Sequence, residues 1–409
     1  MLRTTPVLAL SGLLAMTMAM PTAQTDPQLD RARRLLREQP VIDGHNDYPW
    51  AVRENVKGDV DALNIRGPQP SIMTDLPRLA AGGVGGQFWS VYVPSPKPTD
   101  NPAEPVIATL EQIDIVHRMM AKYPDKFALA LTAGDIERLQ KEGKVASLIG
   151  MEGGHSINSS LAVLRDMYRL GARYMTLTHG LNVPWADSAT DTPAHNGLTP
   201  FGESVIREMN RLGMLVDLSH VSPATMAAAM NVSTAPVIFS HSSSRAITNV
   251  PRNVPDDMLR ALAQNGGVVM VTFVPGFVSE AVAAYNRSED AERARLAPGL
   301  NNDTAAIDKA IEEWRKTHPR VRATIKDVAD HIDHIKQVAG IDHIGVGGDF
   351  DGITSVVQGL EDVSTYPALF AELLRRGYGD DDIKKIAGRN ILRVLRGAEA
   401  TAARLQKGS

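Results

Sequence analysis

The chain has 409 residues, of which 43% are hydrophobic and 22% are charged, and its formal net charge is -4. This composition is typical of a globular protein, and the absence of a basic stripe or an acidic block argues against a nucleic-acid partner and a disordered acidic tail. The chain contains no cysteine, which excludes disulfides and a lipid-attachment thiol. Composition and charge leave a small polar or zwitterionic partner open.

The N-terminal segment has the layout of a cleavable export signal. It contains one arginine, then an apolar run over residues 7–20, then small residues. The run is shorter than the ~20 residues that span a bilayer, and an uncleaved membrane anchor is the alternative. We expect residues 1–23 to be a signal peptide and residues 24–409 to be an exported chain without a stable membrane anchor. The bacterial periplasm is the expected location, with the extracellular space as the alternative.

Short apolar runs alternate with amphipathic stretches along the rest of the chain, a pattern typical of parallel strands joined by helices. The runs are PVIDGHND, GGQFWSVYV, ASLIGMEGG, RYMTLTHG, MLVDLSHVS, APVIFSHSS, GGVVMVTF and HIGVGGDFDG. Eight such units predict a (β/α)8, or TIM, barrel as a single domain over residues 24–409. An open doubly wound sheet is the alternative, but the chain lacks the glycine-rich phosphate loop that usually accompanies it.

A polar, helix-prone segment at about residues 275–320 interrupts this alternation after the seventh run. In a barrel, a segment at that position lies near the face formed by the C-terminal ends of the strands. We expect an insertion there that serves as a lid or as a surface excursion.

Histidine and carboxylate side chains directly follow the predicted strands, where a barrel delivers residues to its active site. They are His45, Glu152, His179, His220, His241 and Asp349. Carboxylates beside several imidazoles in one cavity are costly without a cation, so we expect divalent metal ions there. Imidazole and carboxylate ligands without a thiolate favour zinc, with manganese, cobalt and iron as alternatives.

Two metal ions at such a site need a bridging ligand. Glu152, from the middle of the strand order, is the natural candidate for the bridge. His45 and Asp47 are alternate residues of one predicted strand and would bind one ion from the same side. His220 and His241 follow successive strands and would bind the other ion.

Seven motifs, in order along the chain, resemble those of the membrane (renal-type) dipeptidase family of zinc metallopeptidases. They are IDGHND, MEGGHS, LTHGLNVPWADS, VDLSHVS, VIFSHSSSRA, RNVPDD and GGDFDG. The resemblance covers nearly the whole mature chain. It implies a barrel of the metal-dependent hydrolase type with two zinc ions bridged by Glu152. The implied ligands are His45, Asp47 and Glu152 for one zinc, and Glu152, His220 and His241 for the other.

The same motifs imply roles for three further residues. His179 would contact the substrate and stabilise the developing oxyanion, Arg252 would bind the carboxylate of a dipeptide, and Asp349 would shuttle the proton. These roles suit amide hydrolysis by a hydroxide that bridges the two metal ions. A guanidinium fork matches a free C-terminal carboxylate, so longer peptides would fit poorly. Phe277 stands where relatives have a second carboxylate-binding group, a tyrosine.

Two other functions stay open beside a zinc-dependent dipeptidase. A related binuclear amidohydrolase acting on a β-lactam or another cyclic amide would share the barrel, but it usually bridges its metals with a carboxylated lysine where this chain has Glu152. A non-catalytic exported metal-binding protein would have no need of Asp349 or Arg252. A small dipeptide is the expected partner, and a homodimer is an open alternative for the assembly.

Three other histidines are weaker candidates. His331 and His334 lie one helical turn apart, which predicts a solvated helix face rather than a metal site. His155 follows Glu152 closely. It is either purely structural or holds the metal-site carboxylate or loop in place.

Overall fold

A computed structural model of the chain describes residues 1–2, 26–96, 101 and 103–408. The predicted signal peptide falls almost entirely on residues 3–25, which lie outside the described residues. Among the described helices, none is long and apolar enough to cross a membrane.

The centre of the fold is a closed barrel of eight parallel strands, as the alternating pattern predicted. The described residues form nine strands, eight of them in the barrel: β1 (Val41–Asn46), β2 (Val84–Ser90), β3 (Phe127–Leu129), β4 (Val145–Glu152), β5 (Ala172–Thr176), β6 (Leu215–Asp217), β7 (Ile238–Phe239), β8 (Val268–Val271) and β9 (Ile344–Val346). The ring runs β2-β1-β9-β8-β7-β6-β5-β4, and pairing of β2 with β4 closes it. The barrel therefore contains every strand except β3.

Strand β3 was not predicted and lies outside the ring. It pairs in parallel with the first residues of β4, Val145–Ser147. Further along the same strand, residues from Ile149 onward pair with β5. An eight-residue β4 is long enough to serve both partners on one edge.

Helices connect and surround the strands. They are α1 (Pro27–Glu38), α2 (Tyr48–Val56), α3 (Leu76–Gly82), α4 (Glu104–Lys122), α5 (Ala133–Lys141), α6 (Leu161–Arg169), α7 (Pro200–Leu212), α8 (Pro223–Val232), α9 (Asp256–Asn265), α10 (Pro275–Val278), α11 (Glu280–Leu296), α12 (Thr304–Thr317), α13 (Ile325–Val338), α14 (Tyr366–Arg375), α15 (Asp380–Lys384) and α16 (Asn390–Lys407). Gly213 follows α7 and Gly266 follows α9, both left-handed, as the glycine-terminated helical patterns predicted.

Helices α10 to α12 occupy the stretch where the insertion is predicted, between β8 and α13. Helices α11 and α12 are joined by ion pairs of Arg315 with Glu289 and of Arg293 with Asp308. Phe277 of α10 reaches the cavity at the C-terminal ends of the strands. A lid function for this segment stays a prediction.

Glycines in the strands leave room for large side chains among the buried residues of the barrel. A Cβ atom at Gly150 would lie 2.1 Å from the ring of Tyr174, and one at Gly44 would lie 2.5 Å from the sulfur of Met270. Tyr174 packs with Phe88, their ring centroids 5.2 Å apart. Substitution of either glycine would therefore displace the packing beneath the strand ends.

The prediction of a solvated helix face is wrong for His331 of α13, which is fully buried. Its Nδ1 accepts a hydrogen bond from the backbone N–H of Ser244 at 2.9 Å, and its Nε2 lies 3.2 Å from the carbonyl oxygen of Val278. The loop after β7 and helix α10 cover this face of α13, an arrangement that helical spacing alone does not reveal. His334 is partly exposed and bonds Asp256 at 2.8 Å.

Candidate active site

The predicted site residues converge at the C-terminal ends of the strands. His45 lies near the end of β1, Glu152 ends β4, and Asp47, His179, His220, His241 and Asp349 stand in the segments that follow β1, β5, β6, β7 and β9, with Arg252 in the loop before α9. All of these except His45 line one cavity of about 400 Å³. His45 is buried beside it, in contact with Asp47 and Glu152.

Asp47 is not on the strand that carries His45, which corrects the sequence prediction. Strand β1 ends at Asn46, whose side-chain oxygen accepts a hydrogen bond from the backbone N–H of Tyr48 at 2.9 Å. This Asx turn ends the strand and starts α2. Asp47 nevertheless faces His45, with its Oδ2 3.3 Å from the imidazole Nε2.

Glu152 is the centre of the site, and its two oxygens face different imidazoles. Oε2 lies 3.4 Å from Nε2 of His45. Oε1 lies 2.9 Å from Nε2 of His220, 3.3 Å from that of His241 and 3.7 Å from that of His179. Burial alone would raise the pKa of Glu152, but the imidazoles outweigh it and hold that pKa well below its ordinary value.

A pair of carboxylates, those of Asp47 and Asp349, lies beside His45. Asp349 adjoins Asp47, and burial together with the charges of Asp47 and Glu152 raises the pKa of Asp349 well above its ordinary value, against the opposing effect of His45. Burial opposes protonation of His45, but Tyr174, Glu152 and Asp47 raise its pKa well above the usual range. Like charges this close favour a state that shares protons or binds a cation.

The donor set fits divalent metal ions. Three groups each bring three ligand atoms within 4.8 Å of one another; these are His45, Glu152 and His241; Glu152, His179 and His220; and His45, Asp47 and Asp349. Nε2 of His45 and Oδ1 of Asp47 are buried without a hydrogen-bond partner. Buried lone pairs without a donor are costly unless a cation accepts them, so these residues suit metal ligation.

Two site residues adopt backbone conformations that side chains rarely take. His220 has φ 68° and Asp349 has φ 62°, both in the left-handed region. A Cβ atom at Gly352 would lie 2.2 Å from Oδ2 of Asp47 and 2.6 Å from Oδ1 of Asp349, so only glycine leaves room for the carboxylate pair. Backbone strain of this kind is concentrated at functional sites, where side chains must point into a cavity.

Arg252 presents a buried guanidinium to the cavity. Its Nη2 donates to the carbonyl oxygen of His241 at 3.4 Å, while its buried Nη1 has no partner. Burial lowers the pKa of Arg252 to about 10, so the group remains a cation at neutral pH. The guanidinium carbon lies 5.4 Å from the ring centre of Phe277. An anionic group entering the cavity would find a free donor there.

His179 and an aromatic side chain form another wall of the cavity. The ring of His179 lies 4.3 Å from that of His220 and 4.9 Å from that of Tyr92, and burial lowers the pKa of His179. Tyr92 also packs against Trp50, at 4.9 Å between ring centroids. Sequence reasoning missed Tyr92 as a lining residue, although its position two residues beyond β2, within a predicted strand run, could have indicated it.

His155 does not reach the ligand atoms. It is buried, its Nε2 lies 3.0 Å from the carbonyl oxygen of Val93, and burial lowers its pKa to about 4. This contact ties the turn after Glu152 to the segment that carries Tyr92. His155 therefore supports a wall of the cavity.

The parallel barrel, with a buried carboxylate among imidazoles at the C-terminal ends of its strands, defines a hydrolase of the metal-dependent barrel class. Comparison with models of protein families narrows this class to one family. Residues 29–409 match the model of the membrane dipeptidase family, peptidase family M19, and the chain belongs to that family. It is a metallo-dipeptidase, which confirms the resemblance in its motifs.

Relatives agree with this assignment. Dipeptidase verJ of Clonostachys rogersoniana is 41% identical over 393 residues, which cover 94% of this chain and 91% of that protein. The crystal structure of the probable dipeptidase PvdM from Pseudomonas aeruginosa matches with a TM-score of 0.80 and 25% identity over 92% of this chain and 99% of that one. A metallo peptidase from Rhodobacter sphaeroides, solved with a phosphinate mimic of L-Ala-D-Ala, has a TM-score of 0.72 and 24% identity over 88% and 99%, which shows the fold alone.

Proposed function

We propose that the protein is a zinc-dependent dipeptidase that uses two zinc ions bridged by Glu152 and requires a free C-terminal carboxylate on its substrate. The observation that carries the proposal is that the two carboxylate oxygens of Glu152 face different imidazoles. Oε2 faces His45, whereas Oε1 faces His220 and His241. A carboxylate whose two oxygens address separate ligand sets is suited to bridge two cations.

In this proposal His45, Asp47 and Glu152 hold one zinc, and Glu152, His220 and His241 hold the other. The distance groups divide the ligands differently, since His241 also lies close to His45 and His179 close to His220. We favour the proposed division because His220 and His241 share one oxygen of Glu152 and lie 2.9 Å apart. When bound, the metal ions would polarise the scissile carbonyl and make water reactive near neutral pH.

Arg252 would hold the substrate carboxylate. Its Nη1 is buried without a partner, and the cavity offers the guanidinium no other anion within hydrogen-bond distance among the described residues. Phe277 contributes a ring face but no hydroxyl, so carboxylate binding would rest on Arg252. The cavity of about 400 Å³, with the guanidinium of Arg252 fixed in its wall, would admit a dipeptide. Binding of the substrate carboxylate at Arg252 would limit the length of peptide that fits.

Asp349 and His179 would carry the remaining steps of the reaction. Asp349 has a pKa raised by burial and faces the carboxylate of Asp47, so it is suited to hold a proton and deliver it to the leaving nitrogen. His179, with 23% of its side chain exposed, would contact the carbonyl oxygen of the substrate as charge develops on it.

Metal analysis combined with a substrate panel tests the proposal. We expect purified protein to contain two zinc equivalents and to hydrolyse L-Ala-L-Ala or L-Ala-D-Ala, but not a tripeptide, and we expect EDTA to abolish and zinc to restore activity. Faster cleavage of a penem than of every dipeptide would favour the cyclic-amide alternative. Bound metal with no hydrolysis of any dipeptide would contradict the proposal.

We also propose that residues 1–23 direct export to the periplasm and are removed there. N-terminal sequencing of the protein from a periplasmic fraction tests this. A start between residues 20 and 25 would support it, whereas full-length protein in the cytoplasmic fraction would contradict it. Light scattering of the same material would distinguish a monomer from a homodimer.

A further inference from the structure

Asp217 is a fully buried carboxylate behind the metal ligands, at the end of β6. Its Oδ1 accepts hydrogen bonds from the backbone N–H groups of Ser219 at 3.1 Å and Ser240 at 2.8 Å. Its Oδ2 accepts from the hydroxyls of Thr176 at 2.5 Å and Ser240 at 2.6 Å. Four donors satisfy the carboxylate and leave it no contact with the cavity.

The hydroxyl of Ser240 connects this carboxylate to a predicted metal ligand. Its single proton is donated to Asp217, so its oxygen is an acceptor toward Nδ1 of His241, 2.8 Å away. Nδ1 of His241 therefore carries the ring proton. In a neutral ring, Nε2 then keeps its lone pair, and Nε2 is the nitrogen that faces Oε1 of Glu152 at 3.3 Å.

We infer that Asp217 and Ser240 are positioning residues that hold His241 in the metal-binding tautomer. The inference rests on the proposed function, because it assigns a purpose to the Nε2 lone pair. It extends that function to two residues that touch neither substrate nor metal. A partner that fixes the tautomer and orientation of an imidazole ligand commonly contributes about 10- to 100-fold in metal affinity.

A comparison within the barrel indicates what distinguishes Asp217. Asp43, within β1, is also buried and accepts hydrogen bonds from two backbone N–H groups and two side chains, those of Gln87 and Tyr366. Neither of these side chains hydrogen-bonds an imidazole. The shared hydroxyl of Ser240 is therefore the feature that carries the inference, rather than a buried aspartate as such.

Two variants distinguish an effect on the tautomer of His241 from the general effect of losing a buried hydroxyl. Ser240→Ala and Thr176→Val each remove one buried hydroxyl donor from the same oxygen of Asp217, but only Ser240 contacts an imidazole. We expect Ser240→Ala to weaken binding of one of the two zinc equivalents about 10- to 100-fold, measured by competition with a chromophoric chelator. Thr176→Val should stay within about 3-fold of wild type, although both variants lower the melting temperature.

A third variant keeps the shape of the Asp217 side chain but reverses the direction of its hydrogen bond with Ser240. In Asp217→Asn, the amide oxygen must face the two backbone N–H groups, so the NH2 group donates to Ser240, whose hydroxyl then donates to Nδ1 of His241. This moves the ring proton to Nε2, and we expect zinc affinity to fall at least as far as in Ser240→Ala. This variant also serves if Ser240→Ala does not fold.

The outcomes are distinguishable. Equal zinc affinities in Ser240→Ala and Thr176→Val, or unchanged affinity in Asp217→Asn, would overturn the inference while leaving an active wild-type dipeptidase and its proposed function intact. A wild-type protein that binds no zinc would overturn both. Selective loss of one zinc equivalent in the Ser240 and Asp217 variants would support it.

Discussion

The Nε2 atoms of His220 and His241 lie 2.9 Å apart, and both face Oε1 of Glu152. Burial lowers the pKa of both imidazoles well below the ordinary value, so both rings are neutral at pH 7. Neutral imidazole nitrogens gathered around one carboxylate oxygen form a ligand set for a divalent cation. The proposed zinc dependence rests on this arrangement, and removal of the carboxylate charge of Glu152 is a direct test of it.

Replacing Glu152 by glutamine should release metal and abolish turnover. An amide has the shape of the carboxylate but lacks its charge and a second ligating oxygen, so it cannot bridge two cations. We expect less than one zinc equivalent per chain and kcat/KM lower by about 10³-fold or more, since Lewis-acid assistance supplies several kcal/mol. Ser90→Ala is the matched control, because it removes only a 3.2 Å hydrogen bond to Oε2 of Glu152. Two zinc equivalents and near-normal turnover in Glu152→Gln would contradict the bridge.

Amidation of the dipeptide's C-terminus should lower kcat/KM about 10²-fold in wild type, since it removes the partner of a buried charge. In Arg252→Ala, the acid and the amide should differ by less than about 5-fold, because the group that distinguishes them is gone. Arg138→Ala is the control: Arg138 is an exposed arginine of α5 that is paired with Asp135 and Glu142, so the wild-type ratio should persist. If wild type cleaves the amide as well as the acid, Arg252 has another task.

The barrel and the convergence of the candidate site residues could be predicted because the signals are local. Each predicted strand is a continuous apolar run, and His45, Glu152 and His241 lie at or just past the end of one. The same reasoning failed for β3, since three residues show no periodicity. It also failed for Asp47, where an Asx turn ends the strand one residue early.

Other features depend on contacts between segments far apart in sequence. Burial of His331 requires the loop at Ser244 and helix α10 to pack on α13. The link from Asp217 through Ser240 to His241 requires β6 and β7 to be neighbours in register. Neither residue type nor spacing encodes such pairings, so these features emerge only with the fold.

His331 should make the protein less stable in acid. Burial lowers its pKa from 6.5 to about 4, so the folded state favours the neutral ring whereas the unfolded chain binds a proton below pH 6.5. Stability from this group is thus complete above pH 6.5 and is lost as the pH falls towards 4. Between pH 7.5 and 4.5 the loss is on the order of 2 to 3 kcal/mol.

Urea unfolding in EDTA at these two pH values measures that loss. His331→Gln should lose roughly 2 to 3 kcal/mol less than wild type over the interval, although it starts from lower stability at neutral pH. Gln337→Ala, which changes an exposed and uncharged residue of the same helix, should follow the wild-type pH profile. Parallel profiles for wild type and His331→Gln would refute this assignment.

Asp349→Asn should separate proton transfer from metal binding. The five proposed zinc ligands are unchanged in this variant, so we expect two zinc equivalents and normal binding of a non-hydrolysed dipeptide analogue. Turnover should fall by about 10² to 10⁴-fold, because an amide cannot deliver a proton to the leaving nitrogen. The alternative is that Asp349 is itself a ligand, since its carboxylate lies within 4.8 Å of ligand atoms of His45 and Asp47. Metal content decides between them: one zinc equivalent would make Asp349 a ligand, whereas two equivalents without turnover would leave it as the proton carrier.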